Sequence, residues 1–534
     1  MSNKLIKKTA GQKTNTGAEA ARGIIEYVLA IVGITLCVMV PLYLKEGYHN
    51  VGTVKYELYQ WIMIVGFISL AILMAVYCMM LNGISIDRRK LFNTDWCVLA
   101  FLALAFIAAV GGGNFKECIK GYNGWYMGLM ALTSFVLLYY FFSVFGKYYR
   151  IVLICLCAAA MTAFVIGILH RLLIDPIGSY HDIEDTYKNQ FLSTLGQATW
   201  YSSFVCTVLP LGIGVFWYAD KTWQRVICGI FTFAGFCTLI TQNSDSAYVA
   251  FVGFMAVFFW FSAGEGKKMA RFLEIVLLFI GAAKFMHFMF RVRPNFILNL
   301  GAISLFLMNS YLVWIAAAVI LLLYAGCMFC ARKGKYPGKA ALVVRDVLFI
   351  LLAVVVYGVA MILLMSAKGI LPEGIKAFTS DISYLTWSDQ WGNGRGGTWV
   401  FSFQMFKDMD LWHKLFGVGP DGYAPYAYTL YQGRLAEMWG ERTLTNAHNE
   451  WLNAVINYGI YGAAAYIGIF ITAIVNFAKE QVKQPVMAGM IACVVSYMCH
   501  NFFCYQQVCC TPFIFLIMGA GMYLVRKSGR EVKA

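Results

Sequence analysis

Runs of apolar residues about 20 long recur along almost the whole of this 534-residue chain. Hydrophobic residues make up 60% of the sequence and charged residues 13%, whereas soluble domains carry roughly 25% charged residues. A helix of about 20 residues crosses the ~30 Å hydrocarbon core of a bilayer. Because lipid offers no partner to exposed backbone polar groups, such runs cross as helices. The sequence therefore predicts an all-α, polytopic integral membrane protein.

About 14 spans are expected, eleven before a long polar segment and three after it. An even number of spans places both termini on the same side of the membrane. The expected spans are 23–44, 58–80, 95–112, 125–146, 150–172, 199–219, 224–242, 246–264, 270–289, 308–331, 344–367, 450–477, 485–504 and 510–526.

Lysine and arginine concentrate in every second connecting segment, on the side of the basic N-terminal tail. The alternate segments are poorer in base, and segment 175–188 is acidic. Cytoplasmic loops carry the excess of basic residues, so both termini are expected in the cytoplasm of a multi-pass cell-membrane protein. The same rule explains the net charge of +15 without nucleic acid. The basic segments include Arg88–Lys90, Lys147–Arg150, Lys221–Arg225, Lys267–Arg271, Arg332–Lys339, Lys479–Lys483 and Arg526–Lys533.

This topology divides the chain into four parts. Residues 1–22 form a basic cytoplasmic tail, and 23–367 carry the first eleven spans. Residues 368–449 form one large extracytoplasmic loop with the predicted active site. Residues 450–534 carry the last three spans and a second cytoplasmic tail.

Neither a metal nor a cofactor is expected. Most of the 16 cysteines lie inside apolar runs, where free cysteine behaves as a small hydrophobe, and Cys327–Cys330 is a lone CxxC. Asp408 and Asp410 resemble the metal-binding pair of nucleotide-sugar transferases. Residues two apart on a helix point away from one another, so this pair is not expected to hold a metal.

The segment 391–462 is the longest polar part of the chain and contains three motifs. Gly394–Gly397 precedes apolar residues at helical spacing over 398–411, which predicts an amphipathic helix on the membrane surface. Phe416–Pro420 is expected to end that helix. Asn446–Asn449 leads into the twelfth span, with Asn446 or Asn449 as its N-cap.

These motifs, in this order and with this topology, resemble the C-terminal signature of the O-antigen ligase and O-antigen polymerase superfamily. The matching pieces are Gly394–Arg395 with Trp399, Phe416–Tyr423, and Ala447–Asn453 with Gly459 and Gly462, and more loosely Leu195–Pro210. The resemblance implies a GT-C-type membrane glycosyltransferase. Such an enzyme moves a glycan from a polyprenyl-diphosphate carrier to an acceptor hydroxyl outside the cytoplasmic membrane, with inversion and without a metal. Its partners would be donor, glycan or lipid-glycan acceptor and membrane lipids.

Two residues carry the expected chemistry. The permanently charged fork of Arg395 suits the diphosphate leaving group, since a guanidinium grips phosphate oxygens in pairs. His448 matches the histidine of the family, and a neutral imidazole at exterior pH is suited to take the proton of the attacking hydroxyl. An interfacial arginine and a capping histidine are the plain alternatives.

Further candidates for substrate or diphosphate contacts are Arg434, Arg442, Arg291, Arg293, Tyr423 and Asn449. Trp387 and Trp391 are equally suited to stacking on sugars and to a membrane-interface belt. The chain also departs from the family pattern. Where many relatives of the family carry an arginine near the start of the eighth span, this sequence has Asn243–Ser246. If that arginine grips phosphate, Arg291 or Arg293 would have to replace it here, or the donor is held differently.

Two classes of function remain open at this point. Within the glycosyltransferases, a repeat-unit polymerase is slightly favoured over a ligase, because nothing in the sequence identifies a lipid acceptor. The other class is a transporter or flippase of lipid-linked glycans, which fits the number of spans. Transporters usually show internal repeats, and a loop of 368–449 would have little use in one.

Overall fold

The structure, a computed structural model, describes residues 16–45, 47–81, 91–181, 183–294, 300–440 and 443–531. These residues form helices and one short antiparallel pair of strands, β1 (Phe191–Leu192) and β2 (Gly196–Gln197), preceded by a 3-10 turn at Lys188–Gln190. The helices are α1 (Thr16–Leu42), α2 (Val51–Met80), α3 (Asn93–Gly111), α4 (Phe115–Lys120), α5 (Leu129–Phe145), α6 (Tyr149–Arg171), α7 (Ala198–Tyr218), α8 (Thr222–Thr241), α9 (Ser246–Ser262), α10 (Gly266–Val292), α11 (Ala302–Asn309), α12 (Leu312–Arg332), α13 (Gly338–Ala367), α14 (Glu373–Thr379), α15 (Trp391–Asp408), α16 (Leu411–Phe416), α17 (Tyr423–Trp439), α18 (Glu450–Glu480), α19 (Val486–His500) and α20 (Thr511–Glu531).

Every predicted span coincides with one of these helices, which confirms an all-α polytopic membrane protein. Within the described part of the chain, 10 helices are long and apolar enough to cross a bilayer. Helices α5, α9 and α19 are apolar but shorter. The number of 14 spans and the sidedness of the loops therefore stay predictions.

Helix α7 lies at the centre of the bundle. It packs against α8, α9 and α19, and all of its turns are buried. A helix that is apolar on every side can be surrounded by other helices or by lipid, and α7 is surrounded by helices. Two further pairs, α3 with α18 and α5 with α20, complete the core. In contrast, α13 has no buried side chain and α12 has only Val313 among the described residues, as expected for helices that face lipid.

Buried cations close several helix ends inside the bundle. The last carbonyls of a helix have no intrahelical donor and need one from elsewhere when they are buried. Lys55 donates to the carbonyls of Val40 and Tyr43 at the end of α1, at 2.8 and 2.9 Å. Arg171 donates to the carbonyl of Thr241 at the end of α8. These two buried charges therefore hold neighbouring elements together.

Two ionisable residues of α10, Lys284 and Glu274, do not pair with each other. Lys284 donates to the carbonyls of Met308 and Ser310 at the C-terminal end of α11, both at 2.9 Å. Glu274 instead accepts from Arg225 at 2.9 Å and from Arg271 at 3.0 Å. Each charge is thus satisfied within the bundle by a separate set of partners.

The loop 368–449 has a small core of its own. Phe401 and Met405 of α15 pack there with Val418 and with Tyr423 of α17, and all four are buried. The prediction of one helix running from 398 to 411 is wrong at its end, since α15 ends at Asp408. The physical reason is Asp410, whose carboxylate accepts from the His413 backbone N–H at 3.0 Å and so begins the separate helix α16.

A buried ion pair joins three helices at the end of the bundle opposite the loop 417–422. Arg526 of α20 donates to both carboxylate oxygens of Asp95 in α3, at 2.6 and 2.7 Å. Asp95 also accepts from the Tyr139 hydroxyl of α5 at 2.8 Å and is fully buried. Removing one partner of such a pair leaves an uncompensated charge in the core.

We expect Asp95→Ala to lower the free energy of unfolding by about 3–5 kcal/mol, because Arg526 would remain buried without its carboxylate. Denaturant unfolding of the purified protein in detergent, followed by tryptophan fluorescence, measures the change. The matched control is Asp220→Ala, which removes an exposed partner of Lys267 and should leave stability unchanged. Equal effects of the two substitutions would contradict the assigned role of Asp95.

Candidate functional site

A left-handed turn places Arg395 at the start of its helix. Gly392, Asn393 and Gly394 have φ of 59°, 64° and 87°, and regular helix follows them. Glycine suits this conformation because it has no Cβ. At Gly394 it is required for space as well, since a Cβ would lie 2.9 Å from the Trp439 ring. The Gly-Arg-Gly-Gly motif therefore directs the first turn of α15.

Arg395 is held by the segment that follows α19. Its Nε and Nη2 donate to the Phe503 carbonyl at 3.2 and 2.9 Å, and Nη1 donates to the Gly392 carbonyl. Burial lowers the pKa of Arg395, and the nearby Asp245 carboxylate acts in the opposite direction. An arginine stays charged in proteins despite such shifts. The result is a half-buried permanent cation in a defined orientation.

His448 lies in the turn that leads into α18, with φ of 48°. A non-glycine residue in this region is uncommon, and such strain concentrates at functional sites. The turn is held from both sides. The Asn446 side chain accepts from the His448 backbone N–H at 2.9 Å, and the Asn449 side chain accepts from the N–H groups of Trp451 and Leu452. The prediction of Asn449 as N-cap is confirmed.

The environment of His448 favours its neutral form. Burial and the positive charge of Arg395 together lower the pKa of His448 to about 4. The imidazole ring meets the Tyr505 ring edge to face, with centroids 5.3 Å apart. The Tyr505 hydroxyl in turn accepts from the Trp200 indole at 3.3 Å. At neutral pH the ring therefore has a free lone pair and can accept a proton.

The segment 501–506 brings Arg395 and His448 to the same place. Phe503 binds the guanidinium through its carbonyl, and Tyr505 contacts the imidazole. Glu450, the first residue of α18, fixes this segment. Its backbone N–H donates to the Asn501 carbonyl at 2.9 Å, and its carboxylate accepts from the Gln506 N–H at 2.8 Å. The two predicted residues, 53 positions apart in sequence, thus share one support.

The Phe-Gly-Val-Gly-Pro motif is a docking loop. The N–H groups of Val418 and Gly419 donate to the carbonyls of Ile456 and Asn457 in α18, at 3.1 and 2.9 Å. Gly417 permits this approach, because a Cβ there would lie 2.3 Å from the Asn457 carbonyl oxygen. The next turn of α18 is opened by Gly459, with φ of 66°. The motif therefore attaches the loop to the helix that His448 precedes.

Asp421 attaches the same loop to the turn between α4 and α5. Its carboxylate accepts from the backbone N–H groups of Tyr122 and Met127, at 2.7 and 3.1 Å. Burial raises the pKa of Asp421 to about 6, although the two hydrogen bonds act in the opposite direction. Sequence reasoning missed Asp421, Glu450 and Tyr505. Glu450 and Asp421 stood beside recognised motifs, whereas Tyr505 had no signal in the sequence.

Two of the other candidates are placed in structural roles. Tyr423 is buried, and its hydroxyl is hydrogen-bonded to Ser402 at 2.7 Å in the core of the loop. It therefore does not face a substrate in this structure. Asn449 is the N-cap of α18 and uses its side-chain oxygen for the helix. Burial and capping explain these residues without a ligand.

The remaining candidate arginines lie on helices α17 and α10, or outside the described residues. Arg434 is exposed on α17 and lies 5.6 Å from the Phe401 ring. Arg291 is exposed at the end of α10 and donates to His287 at 3.1 Å. Arg293 is the C-cap of the same helix. Arg442 lies outside the described residues.

Comparison with known families agrees with this geometry. Residues 296–467 match the family model described as O-antigen ligase. The matched range contains Arg395, the loop 416–422 and His448, the three parts that converge in the structure. No match to a curated protein was found. Residues 296–467 are therefore similar to the O-antigen ligase family, which supports the resemblance found in the sequence motifs.

Proposed function

We propose that this protein transfers or polymerises a glycan from a polyprenyl-diphosphate donor onto an acceptor hydroxyl at the outer face of the cytoplasmic membrane. One observation carries the proposal. A fixed guanidinium and a neutral imidazole meet on the segment 503–505, within the region that matches the O-antigen ligase family. The family match supports ligase-like activity in general, and the specific donor and chemistry are our inference.

Arg395 has the donors that the leaving group requires. As the bond from the anomeric carbon to the diphosphate oxygen breaks, negative charge grows on the diphosphate, and preorganised donors stabilise that charge best. An arginine carries five N–H bonds, and Phe503 and Gly392 engage three of them. The other two remain for phosphate oxygens. Because Arg395 is already fixed, little reorganisation is needed when the donor binds.

His448 completes the reaction by removing a proton. The acceptor hydroxyl oxygen forms the new bond to the anomeric carbon, the polyprenyl diphosphate departs, and the hydroxyl proton passes to the imidazole. Attack from the side opposite the leaving group inverts the anomeric centre. The residues of the site supply both the charge stabilisation and the base, so the proposed step needs no metal.

A repeat-unit polymerase remains slightly favoured over a ligase, for the same reason as in the sequence analysis. Deletion of the gene distinguishes the two. Loss of long polysaccharide chains identifies a polymerase, whereas intact long chains that stay on the lipid carrier identify a ligase. Surface polysaccharide and lipid-linked intermediates are sized on gels in parallel.

We expect Arg395→Ala and His448→Ala each to reduce transfer at least about a hundredfold, the usual effect of removing an electrostatic stabiliser or a general base. Transfer of labelled glycan from a purified polyprenyl-diphosphate donor measures the rate. Lys407→Ala and His413→Ala remove an exposed cation and a second imidazole from the same loop, and both should retain wild-type rates. Wild-type rates in both site variants would exclude the proposed site.

The pH dependence tests the protonation state of His448. The base must be neutral, and the pKa of His448 in the free enzyme is about 4. We therefore expect kcat/KM to stay level from pH 7 to about 5 and to fall only at lower pH. In Arg395→Gln, one cause of the lowered pKa is removed, so the acidic limb of the residual activity should move upward. A wild-type limb near 6.5, or one that Arg395→Gln does not move, would contradict this assignment.

A further inference from the structure

The carboxylate of Asp245 is linked to the surroundings of Arg395 through Tyr384 and Trp391, and the Trp391 ring packs against Phe503. Asp245 is the N-cap of α9, next to Ser246. Its side chain is exposed and lies within electrostatic reach of Arg395. Its Oδ2 accepts a hydrogen bond of 2.7 Å from the hydroxyl of Tyr384, which belongs to the loop 368–390. The site therefore contains one negative group as well as its cation.

The negative charge of Asp245 makes part of the site unfavourable for an anionic ligand. A diphosphate is repelled by a nearby carboxylate, and like charges placed together disfavour binding. The surroundings of Asp245 are consequently unsuited to the donor anion. A neutral ligand with hydroxyl groups is suited to it, because an ionised carboxylate is purely a hydrogen-bond acceptor and a hydroxyl is a donor. The acceptor of the proposed reaction is such a ligand.

Space remains at the second oxygen of this carboxylate. Tyr384 engages Oδ2, while Gly301 lies beside Oδ1. A Cβ at Gly301 would lie 3.3 Å from Oδ1. The backbone of Gly301 has φ of −63° and ψ of 157°, which any residue adopts, so conformation does not require a glycine there. The effect of the glycine is to leave Oδ1 uncovered by a side chain.

Two tryptophans, Trp387 and Trp391, lie next to Tyr384. The Trp391 indole N–H donates to the Tyr384 carbonyl at 3.1 Å. The Trp391 ring stacks on Trp387, with centroids 5.1 Å apart and planes 18° from parallel. Both rings also pack against Trp399, and both are half-buried, so part of each flat indole stays exposed. A sugar ring has one face of C–H groups that packs on such a surface, while its hydroxyls need hydrogen-bond partners at the edge.

We propose that Asp245, Tyr384 and the Trp387–Trp391 pair form the subsite for the acceptor sugar. A neutral sugar ring would pack on the tryptophans and donate its hydroxyls to Asp245, beside Arg395 but apart from the diphosphate. The identification of this sugar as the acceptor rests on the proposed transferase function. Sugar binding itself is testable without any turnover.

The test uses two probes on the full-length protein in detergent. The neutral probes are methyl glycosides of common hexoses and N-acetylhexosamines, and the anionic probe is inorganic pyrophosphate. Binding is measured by tryptophan fluorescence and by saturation-transfer NMR. We expect Asp245→Asn to weaken glycoside binding about tenfold, the effect of losing a hydrogen bond to a charged group, and to tighten pyrophosphate binding. Asp381→Asn is the control; it removes an exposed carboxylate from the loop that carries Tyr384 and should change neither.

A second variant separates binding from folding. Gly301→Ala keeps Asp245 and its charge but crowds Oδ1, so it should weaken glycoside binding and leave pyrophosphate binding unchanged. Equal weakening of both probes in Asp245→Asn would show that Asp245 and Tyr384 merely latch the loop to α9, and it would overturn the proposal. So would glycoside binding that neither variant affects, or wild-type protein that binds no glycoside. If the opposite effects on the two probes appear but no glycan transfer occurs, the proposed function fails and the sugar subsite stands.

Discussion

Carbonyl groups at the ends of helices inside an apolar bundle are the constraint on which this structure depends. Where no water is available, each of them needs a donor from the protein itself. Lys55, Arg171 and Lys284 supply such donors at three places. Arg395 does the same for the Phe503 carbonyl, just after α19. The cation assigned to the diphosphate is therefore also part of the framework, and the framework fixes its direction.

The same desolvation that requires these donors also sets the protonation of the site. A guanidinium stays charged when half-buried, whereas an imidazole beside it does not. The low pKa of His448 follows from burial and from the charge of Arg395. One arrangement thus provides a permanent cation and a neutral base in contact with the same segment. Asp245 adds an anion that acts on Arg395, and on this charge pattern rests our proposal that a diphosphate and a neutral sugar bind at separate places.

Much of the architecture was predictable because local amino-acid composition specifies membrane-spanning helices. A run of apolar residues specifies a span wherever it lies, and every predicted span coincides with a helix. Arg395 and His448 were predictable for another reason, since each lies in a short motif rich in glycine or asparagine. The helix predicted over 398–411 was too long, because periodicity cannot show that Asp410 caps a new helix. Tyr423 and Asn449 looked like ligand contacts in sequence and are a core residue and a helix cap in the structure.

The sequence alone determined that the chain is a bundle of apolar helices interrupted by one polar loop, and it singled out Arg395 and His448 as candidates. Local residue types decide both. Only the tertiary structure decided that Phe503, Tyr505 and Glu450 support that pair, and that Tyr384 donates to Asp245. These contacts join residues from 245 to 506, and no local pattern specifies them. They arise from the way the helices pack.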